Sequence, residues 1–202
     1  MFIPQGGSLQ DASIGISNLA DELLAFIRSY QSQPAPSSPP TVSSVKSWKI
    51  FVESGTGTTA LFLHQSLIEM NAEEIPVEVI AVPCVGSAAY LLQQMEDLDT
   101  RSYGRKSFPS ILPDFKRGRK RVFGKLYTEH LQIWQELKDS TGFEFDLLYA
   151  PRAFEQLFDY FEGTKENEDG AVECGYIYLH CGGTSGNDSQ LRRYVTRGAN
   201  VL

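Results

Sequence analysis

The sequence contains few cysteines and fewer positive than negative charges. The three cysteines, Cys84, Cys174 and Cys181, are widely spaced, and they form neither a CxxC pair nor a Cys/His ligand cluster. We therefore expect no zinc site, and the odd number of cysteines favours a reducing compartment. The formal net charge is -7. This value argues against nucleic acid as a partner, because proteins that bind nucleic acid usually present a basic surface.

Long apolar runs and an export signal are also missing. The first ten residues, MFIPQGGSLQ, contain no charged segment followed by an apolar segment, so they do not have the pattern of a signal peptide. No apolar stretch is long enough to cross a bilayer. We expect a soluble, cytoplasmic protein with no membrane partner, or an organellar one if a targeting segment precedes these residues.

Positive charge is concentrated in one short run, made up of Lys116, Arg117, Arg119, Lys120 and Arg121. No aromatic residues are interleaved with these charges, as they are in many single-strand binders. We interpret the run as a solvated loop and not as a binding patch. His130 is likewise interpreted as a solvated residue.

The sequence does contain short apolar runs that alternate with helical periodicity. A first helix is predicted to bury one face, formed by Ile16, Leu19, Leu23, Phe26 and Ile27. Further helices are predicted at ALFLHQSLIEM, Ser87–Asp97, Tyr127–Lys138 and Arg152–Glu162, and strands at Trp48–Val52, Pro76–Pro83, Phe145–Tyr149 and within Val172–His180. This order predicts an α/β fold in three layers, with a parallel sheet flanked by helices. The Pro/Ser-rich residues 32–44 cannot form a core and are interpreted as a surface insertion.

The strongest local signal is a small-residue loop between a predicted strand and a predicted helix. It consists of Ser54, Gly55, Thr56, Gly57, Thr58 and Thr59. Glycines allow backbone N–H groups to converge, hydroxyls add donors, and a helix amino terminus favours an anion, so the pattern fits a phosphate. No lysine follows the loop as in a Walker A sequence, and GTGTTA is not the dinucleotide GxGxxG pattern. A plain strand-to-helix turn is the competing interpretation.

Two further candidates follow predicted strands. The last strand leads into His180, Cys181, Gly182 and Gly183, and ligands of α/β proteins collect beyond the carboxyl ends of strands. Tyr149 precedes Pro151, which suits the first turn of a helix, so Tyr149 is expected at the same edge. The competing interpretations are a structural histidine and a core tyrosine.

Taken in order, six segments of the chain resemble one family. They are FIPQGG, ADEL, SGTGTTALFL, VPCVG, STGFEFDLLYAPRA and YIYLHCGGTSGNDSQLRRY. The sequence resembles the D-cysteine desulfhydrase and 1-aminocyclopropane-1-carboxylate (ACC) deaminase group of fold type II pyridoxal phosphate enzymes, which are relatives of the tryptophan synthase β chain. The resemblance implies pyridoxal 5'-phosphate as the cofactor and a small amino acid as the substrate. For the full-length form we expect a homodimer.

The resemblance also implies roles for individual residues. The loop of residues 54–59 matches the segment that holds the cofactor phosphate, and Tyr149 matches a catalytic tyrosine near the substrate amine. Ala150 takes the position that faces the pyridine nitrogen, and Cys181 lines the substrate pocket in the His-x-Gly-Gly segment of residues 180–183. Deaminases of the family tend to carry Glu and Leu at the positions of Ala150 and Cys181, and desulfhydrases carry two Thr. The substrate is therefore open, and the missing acidic residue favours the desulfhydrase-like branch.

One expected feature has no match in the sequence. The family binds its cofactor covalently through a lysine that follows an asparagine in an amino-terminal segment, whereas residues 2–7 here already match the middle of the family's sequence. The chemistry needs that lysine to hold the cofactor and to move the substrate proton. None of Lys46, Lys49, Lys116, Lys120, Lys125, Lys138 and Lys165 has this setting. We expect residues 1–202 to be the carboxyl-terminal portion of such an enzyme, inactive alone, with a non-catalytic phosphate-ligand module as the alternative.

Overall fold

A computed structural model describes residues 3–32, 45–71, 75–114, 121–165 and 174–198. Most of the Pro/Ser-rich stretch and all of the basic run except Arg121 therefore lie outside the described residues. The helices are α1 (Ala12–Ser32), α2 (Thr58–Asn71), α3 (Ala88–Thr100), α4 (Thr128–Thr141), α5 (Ala150–Lys165) and α6 (Asn187–Thr196). The strands are β1 (Ser47–Ser54), β2 (Val77–Pro83), β3 (Ser110–Ile111) and β4 (Cys174–Leu179), and short 3-10 helices lie at Gln5–Gly7 and Thr184–Gly186. Every helix in the described ranges is too short or too polar to span a bilayer.

The four strands form one parallel sheet in the order β3-β2-β1-β4. From β1 the chain passes through α2 to β2 and through α3 to β3, and it then returns to the other side of β1 to form β4. The carboxyl ends of β1 and β4 therefore lie side by side where the strand order reverses. In open α/β sheets this position is where ligand crevices form.

The sheet is covered by helices on both faces, so the predicted α/β architecture is confirmed. On one face Ile50 and Val52 pack in a core with α1, α2 and α3. On the other face Phe51 packs in a core with Ala153 and Leu157 of α5. Because successive strand residues point to opposite faces, burial of both faces explains the nearly continuous apolar runs in β1 and β2.

The buried face of α1 differs from the prediction. The fully buried residues are Ala20, Leu24 and Ile27, whereas Phe26 is 52% exposed and its ring lies beside that of Tyr30. The helix is rotated so that the small residue Ala20 faces the core, which lets α1 and α2 approach closely.

The predicted strand at Phe145–Tyr149 is wrong. These residues adopt no strand in the structure, because the Asp146 side chain takes the backbone N–H groups that a strand would use for pairing. It accepts hydrogen bonds from the N–H groups of Leu148, Tyr149 and Ala150. The segment is therefore the turn that leads into α5 and not a strand.

The predictions of a solvated His130 and a solvated Arg121 are also wrong. Both side chains are buried around Glu155 of α5. Arg121 Nη2 lies 2.5 Å from Glu155 Oε1, and His130 Nε2 lies 3.1 Å from Oε2. Arg152 Nη1 lies 3.5 Å from the same Oε2. The Glu155 carboxylate gives Arg121 and His130 a buried partner that the sequence pattern did not predict.

Candidate functional site

The loop of residues 54–59 connects β1 to the amino terminus of α2. Gly57 has a φ of +77°, which disfavours any residue with a Cβ. A Cβ there would also lie 2.5 Å from Cγ of Met95, so the missing side chain lets α3 pack directly on the loop. The sequence places glycine where the backbone conformation and the helix contact both require it.

The hydroxyl groups of the loop are not equivalent. Ser54 is buried, and its hydroxyl donates to the carbonyl of Val52 at 2.9 Å. Its proton is therefore already used within the strand. The hydroxyls of Thr56 and Thr58 lie 2.9 Å apart. Thr56, Thr58 and Thr59 line the cleft, and the Thr59 side chain also hydrogen-bonds the Cys181 thiol.

Glu53 joins the loop to the residues that follow β4, and sequence reasoning missed it. Its Oε1 accepts hydrogen bonds from the N–H groups of Cys181 at 2.7 Å and Gly182 at 2.6 Å. Its Oε2 accepts a hydrogen bond from the Tyr178 hydroxyl. Burial raises the pKa of the Glu53 carboxyl, the hydrogen bond from Tyr178 opposes this effect, and the charge of Asp146 adds to it. Cys181 is exposed at the surface, but desolvation around its thiol and the Glu53 charge raise the pKa of that thiol to about 12, so the thiol is protonated near neutral pH.

Tyr149 packs against the loop at Gly55. A Cβ on Gly55 would lie 3.2 Å from the Tyr149 hydroxyl oxygen, so the absence of a side chain on Gly55 leaves room for the tyrosine ring. The backbone at Tyr149 is fixed by Asp146, whose Oδ1 accepts its N–H at 2.6 Å. Burial raises the pKa of the Tyr149 hydroxyl, and Cys84 adds to the effect. The tyrosine is thus held in its neutral form beside the loop.

Two of the predicted pocket residues lie behind the cleft. Ala150 is fully buried, and its N–H donates to Asp146 Oδ2 at 3.0 Å. His180 Nε2 lies 3.2 Å from the same oxygen, and its ring packs against Phe145 with centroids 5.2 Å apart. Neither residue belongs to the described lining of the cleft, and their substrate-pocket roles stay predictions.

Glu53, Asp146 and His180 bring their potential ligand atoms within 4.8 Å of one another. The two carboxylates already accept backbone and hydroxyl hydrogen bonds through all four of their oxygens. A metal ion would have to displace these donors. We interpret the group as the support that holds the loop after β4 against β1 and α5.

The two predicted loops and Tyr149 meet in one cleft of about 530 Å³. Among the described residues its lining consists of Pro4, Gln5, Gly6, Ser8, Glu53, Ser54, Gly55, Thr56, Gly57, Thr58, Thr59, Val85, Tyr90, Gln94, Arg101, Tyr149, Cys181, Gly182 and Gly183. The lining combines hydroxyls and loop backbone with a single acidic and a single basic side chain, Glu53 and Arg101. No lysine belongs to this described lining. The loop itself carries no carboxylate, so its donor set suits a phosphate and not a metal ion.

Comparisons with known proteins give a structural match only. No family model and no curated protein matches the sequence. A solved structure described as the crystal structure analysis of an ACC deaminase homologue matches with a TM-score of 0.65 and 21% sequence identity. The match covers 94% of this chain and 52% of that one. The chain therefore has the fold of an ACC deaminase homologue and spans about half of its length.

Proposed function

We propose that this chain forms the phosphate-binding part of a pyridoxal phosphate-dependent lyase or deaminase that acts on a small amino acid. The observation that supports the proposal is the convergence of residues 54–59, residues 181–183 and Tyr149 on one cleft at the carboxyl ends of β1 and β4. These segments are far apart in the sequence, and a phosphate-bearing ligand explains why small, donor-rich residues occur in both.

Each element of the cleft has a proposed part in holding the cofactor. The loop backbone and the hydroxyls of Thr56, Thr58 and Thr59 would bind the phosphate. Gly55 leaves room for Tyr149, whose neutral hydroxyl would lie near the substrate amine. When bound, pyridoxal phosphate supplies an electron sink that stabilises negative charge at the substrate α-carbon. The residues after β4, held by Glu53, would form the opposite wall of the substrate pocket.

Among the possible reactions we favour α,β-elimination of the D-cysteine desulfhydrase type, in which the β-thiol of D-cysteine leaves as sulfide and hydrolysis of the remaining product gives a 2-oxo acid and ammonia. The reason is that Ala150 carries no acidic group at the position where deaminases of the resembled family carry Glu. The described lining contains no lysine, so we expect the 202-residue chain to have negligible elimination activity alone. A homodimer and a cytoplasmic location remain predictions for the full-length form.

The same absence of a lysine from the described lining favours one second candidate, a non-catalytic module that binds a phosphate ligand. The two candidates differ in whether the full-length form attaches the ligand covalently through a lysine. Borohydride reduction of that form after pyridoxal phosphate has bound, followed by mass measurement of the intact protein and of its peptides, separates them. One added cofactor mass, mapped to a lysine at the cleft, favours the enzyme, and an unchanged mass favours the module.

The proposed function is tested by titrating the purified chain with pyridoxal phosphate and following absorbance and intrinsic fluorescence. We expect saturable binding that Thr59→Val weakens several-fold, since one phosphate donor is lost. Thr196→Val, the same change on α6 with its hydroxyl bonded within the helix, serves as the matched control. Absence of saturable binding would refute the proposal. Release of sulfide from D-cysteine, or of 2-oxo acid from ACC, would refute the expected inactivity of the chain.

A further inference from the structure

The described lining of the cleft carries one cation, Arg101, and one acid, Glu53. Glu53 does not neutralise Arg101, because its oxygens are engaged by the N–H groups of Cys181 and Gly182 and by the hydroxyl of Tyr178. Within the described ranges no carboxylate forms an ion pair with Arg101, whose guanidinium donates to the neutral hydroxyl of Ser8. The cleft therefore contains a positive charge with no acidic partner in the described part of the chain.

Arg101 is held between the two segments that contact the loop of residues 54–59. It follows the last residue of α3, and its backbone N–H is bonded to carbonyls of that helix. The helix packs on Gly57 through Met95, and Arg101 lies six positions after Met95, which corresponds to about 9 Å along the helix axis. A flexible arginine side chain can cover much of such a distance.

The second segment is the amino-terminal one. Ser8, which accepts the guanidinium hydrogen bond, lies two residues after Gly6. Gly6 faces the side chain of Thr56, and any side chain on Gly6 would collide with it. Arg101 thus contacts a segment that itself contacts the loop, and Arg101 and the loop line the same cleft.

The loop offers only neutral donors, whereas a phosphate monoester carries close to two negative charges near neutral pH. An arginine matches phosphate oxygens in both charge and geometry. On the basis of the function proposed above, we propose that Arg101 is the charge partner of the phosphate group bound at residues 54–59. It would bind the phosphate by exchanging its hydrogen bond to Ser8 for bonds to phosphate oxygens.

The experiment compares Arg101→Gln and Arg101→Lys with three probes: pyridoxal phosphate, inorganic phosphate and pyridoxal, which lacks the phosphate. Calorimetry or fluorescence gives the dissociation constants. For Arg101→Gln we expect about tenfold or weaker binding of both phosphate-bearing probes, unchanged binding of pyridoxal, and a smaller dependence of affinity on salt. Arg101→Lys should recover part of the affinity, because it restores the charge without the two-pronged geometry.

Arg105→Gln is the matched control, because Arg105 pairs with Glu69 and lies outside the cleft lining. Thermal melting of each variant checks that it is folded, and Arg101→Lys supplies the measurement if Arg101→Gln is not. Equal phosphate affinity in the parent chain and Arg101→Gln would overturn the role of Arg101 alone. An equal loss for pyridoxal would do the same. If the parent chain binds neither phosphate probe, the proposed function fails and this inference fails with it.

Discussion

Replacement of Glu155 by glutamine tests the electrostatics that hold α5 in place. Glu155 has a side chain that is 15% exposed, and it contacts Arg121, His130 and Arg152. Burial alone raises the pKa of this carboxyl, but hydrogen bonds from His130 and Arg121 outweigh burial and lower it from 4.5 to about 2. Each tenfold change in proton affinity is worth roughly 1.4 kcal/mol, so the charged form is favoured in the folded state by about 3 kcal/mol.

The sign of the pH dependence follows from the direction of the shift. A carboxyl whose pKa is lower in the folded state contributes its full stabilisation above the unfolded pKa near 4.5. That contribution is lost as the pH falls from 4.5 toward 2, because the unfolded chain takes up a proton first. Glu155→Gln has no charge to lose, so its deficit relative to the parent chain should be largest at neutral pH and should shrink on acidification.

The assay is urea unfolding at pH 7 and at several values down to pH 3, followed by circular dichroism. At pH 7 we expect a loss of about 3 kcal/mol in the free energy of unfolding for Glu155→Gln, since two buried guanidinium groups lose their carboxylate. Glu129→Gln is the matched control, because Glu129 is 52% exposed and lies 3.9 Å from Arg121. Its effect should stay below about 0.5 kcal/mol. A deficit for Glu155→Gln that is below about 1 kcal/mol, or that is the same at pH 3 and pH 7, would refute the reasoning.

Two further predictions concern the site. Gly57→Ala should destabilise the chain by about 2 kcal/mol in urea unfolding, because Gly57 has a positive φ and an added Cβ would collide with Met95. Gly55→Ala should destabilise it less, because Gly55 has a negative φ and an added Cβ would have its nearest contact at 3.2 Å. Equal losses for the two variants would contradict this account. Asp146→Ala should cost about 2 kcal/mol because three backbone N–H groups lose their acceptor; the exposed Asp139→Ala is its control, and comparable effects of the two would exclude the capping role.

The loop of residues 54–59 and the segment after β4 could be predicted because each has a recognisable local residue pattern. Small and hydroxyl residues directly after an apolar strand are unusual, and strand–helix alternation places such loops at one sheet edge. Glu53 and Arg101 gave no comparable signal. A single acid in an apolar strand looks solvated until its amide partners, 128 and 129 residues away, are known.

Other differences arise from tertiary contacts that override local pattern. The residues around Phe145 alternate as in a strand, yet Asp146 captures the backbone N–H groups. Here a signal was available, because an acid shortly before Pro151 is typical of a helix start. His130 had no such signal, since its burial depends on Glu155 of the next helix.

The pairing of β1 with β4 joins strands that are more than a hundred residues apart along the chain. The two walls of the cleft come together only when β1 pairs with β4. Contacts between residues this far apart in the sequence form slowly during folding. A ligand that contacts both walls would hold β4 against β1. Because such a ligand binds only the folded chain, it would shift the unfolding equilibrium toward the folded state. Ligand binding in the cleft and the stability of the sheet are for this reason thermodynamically linked.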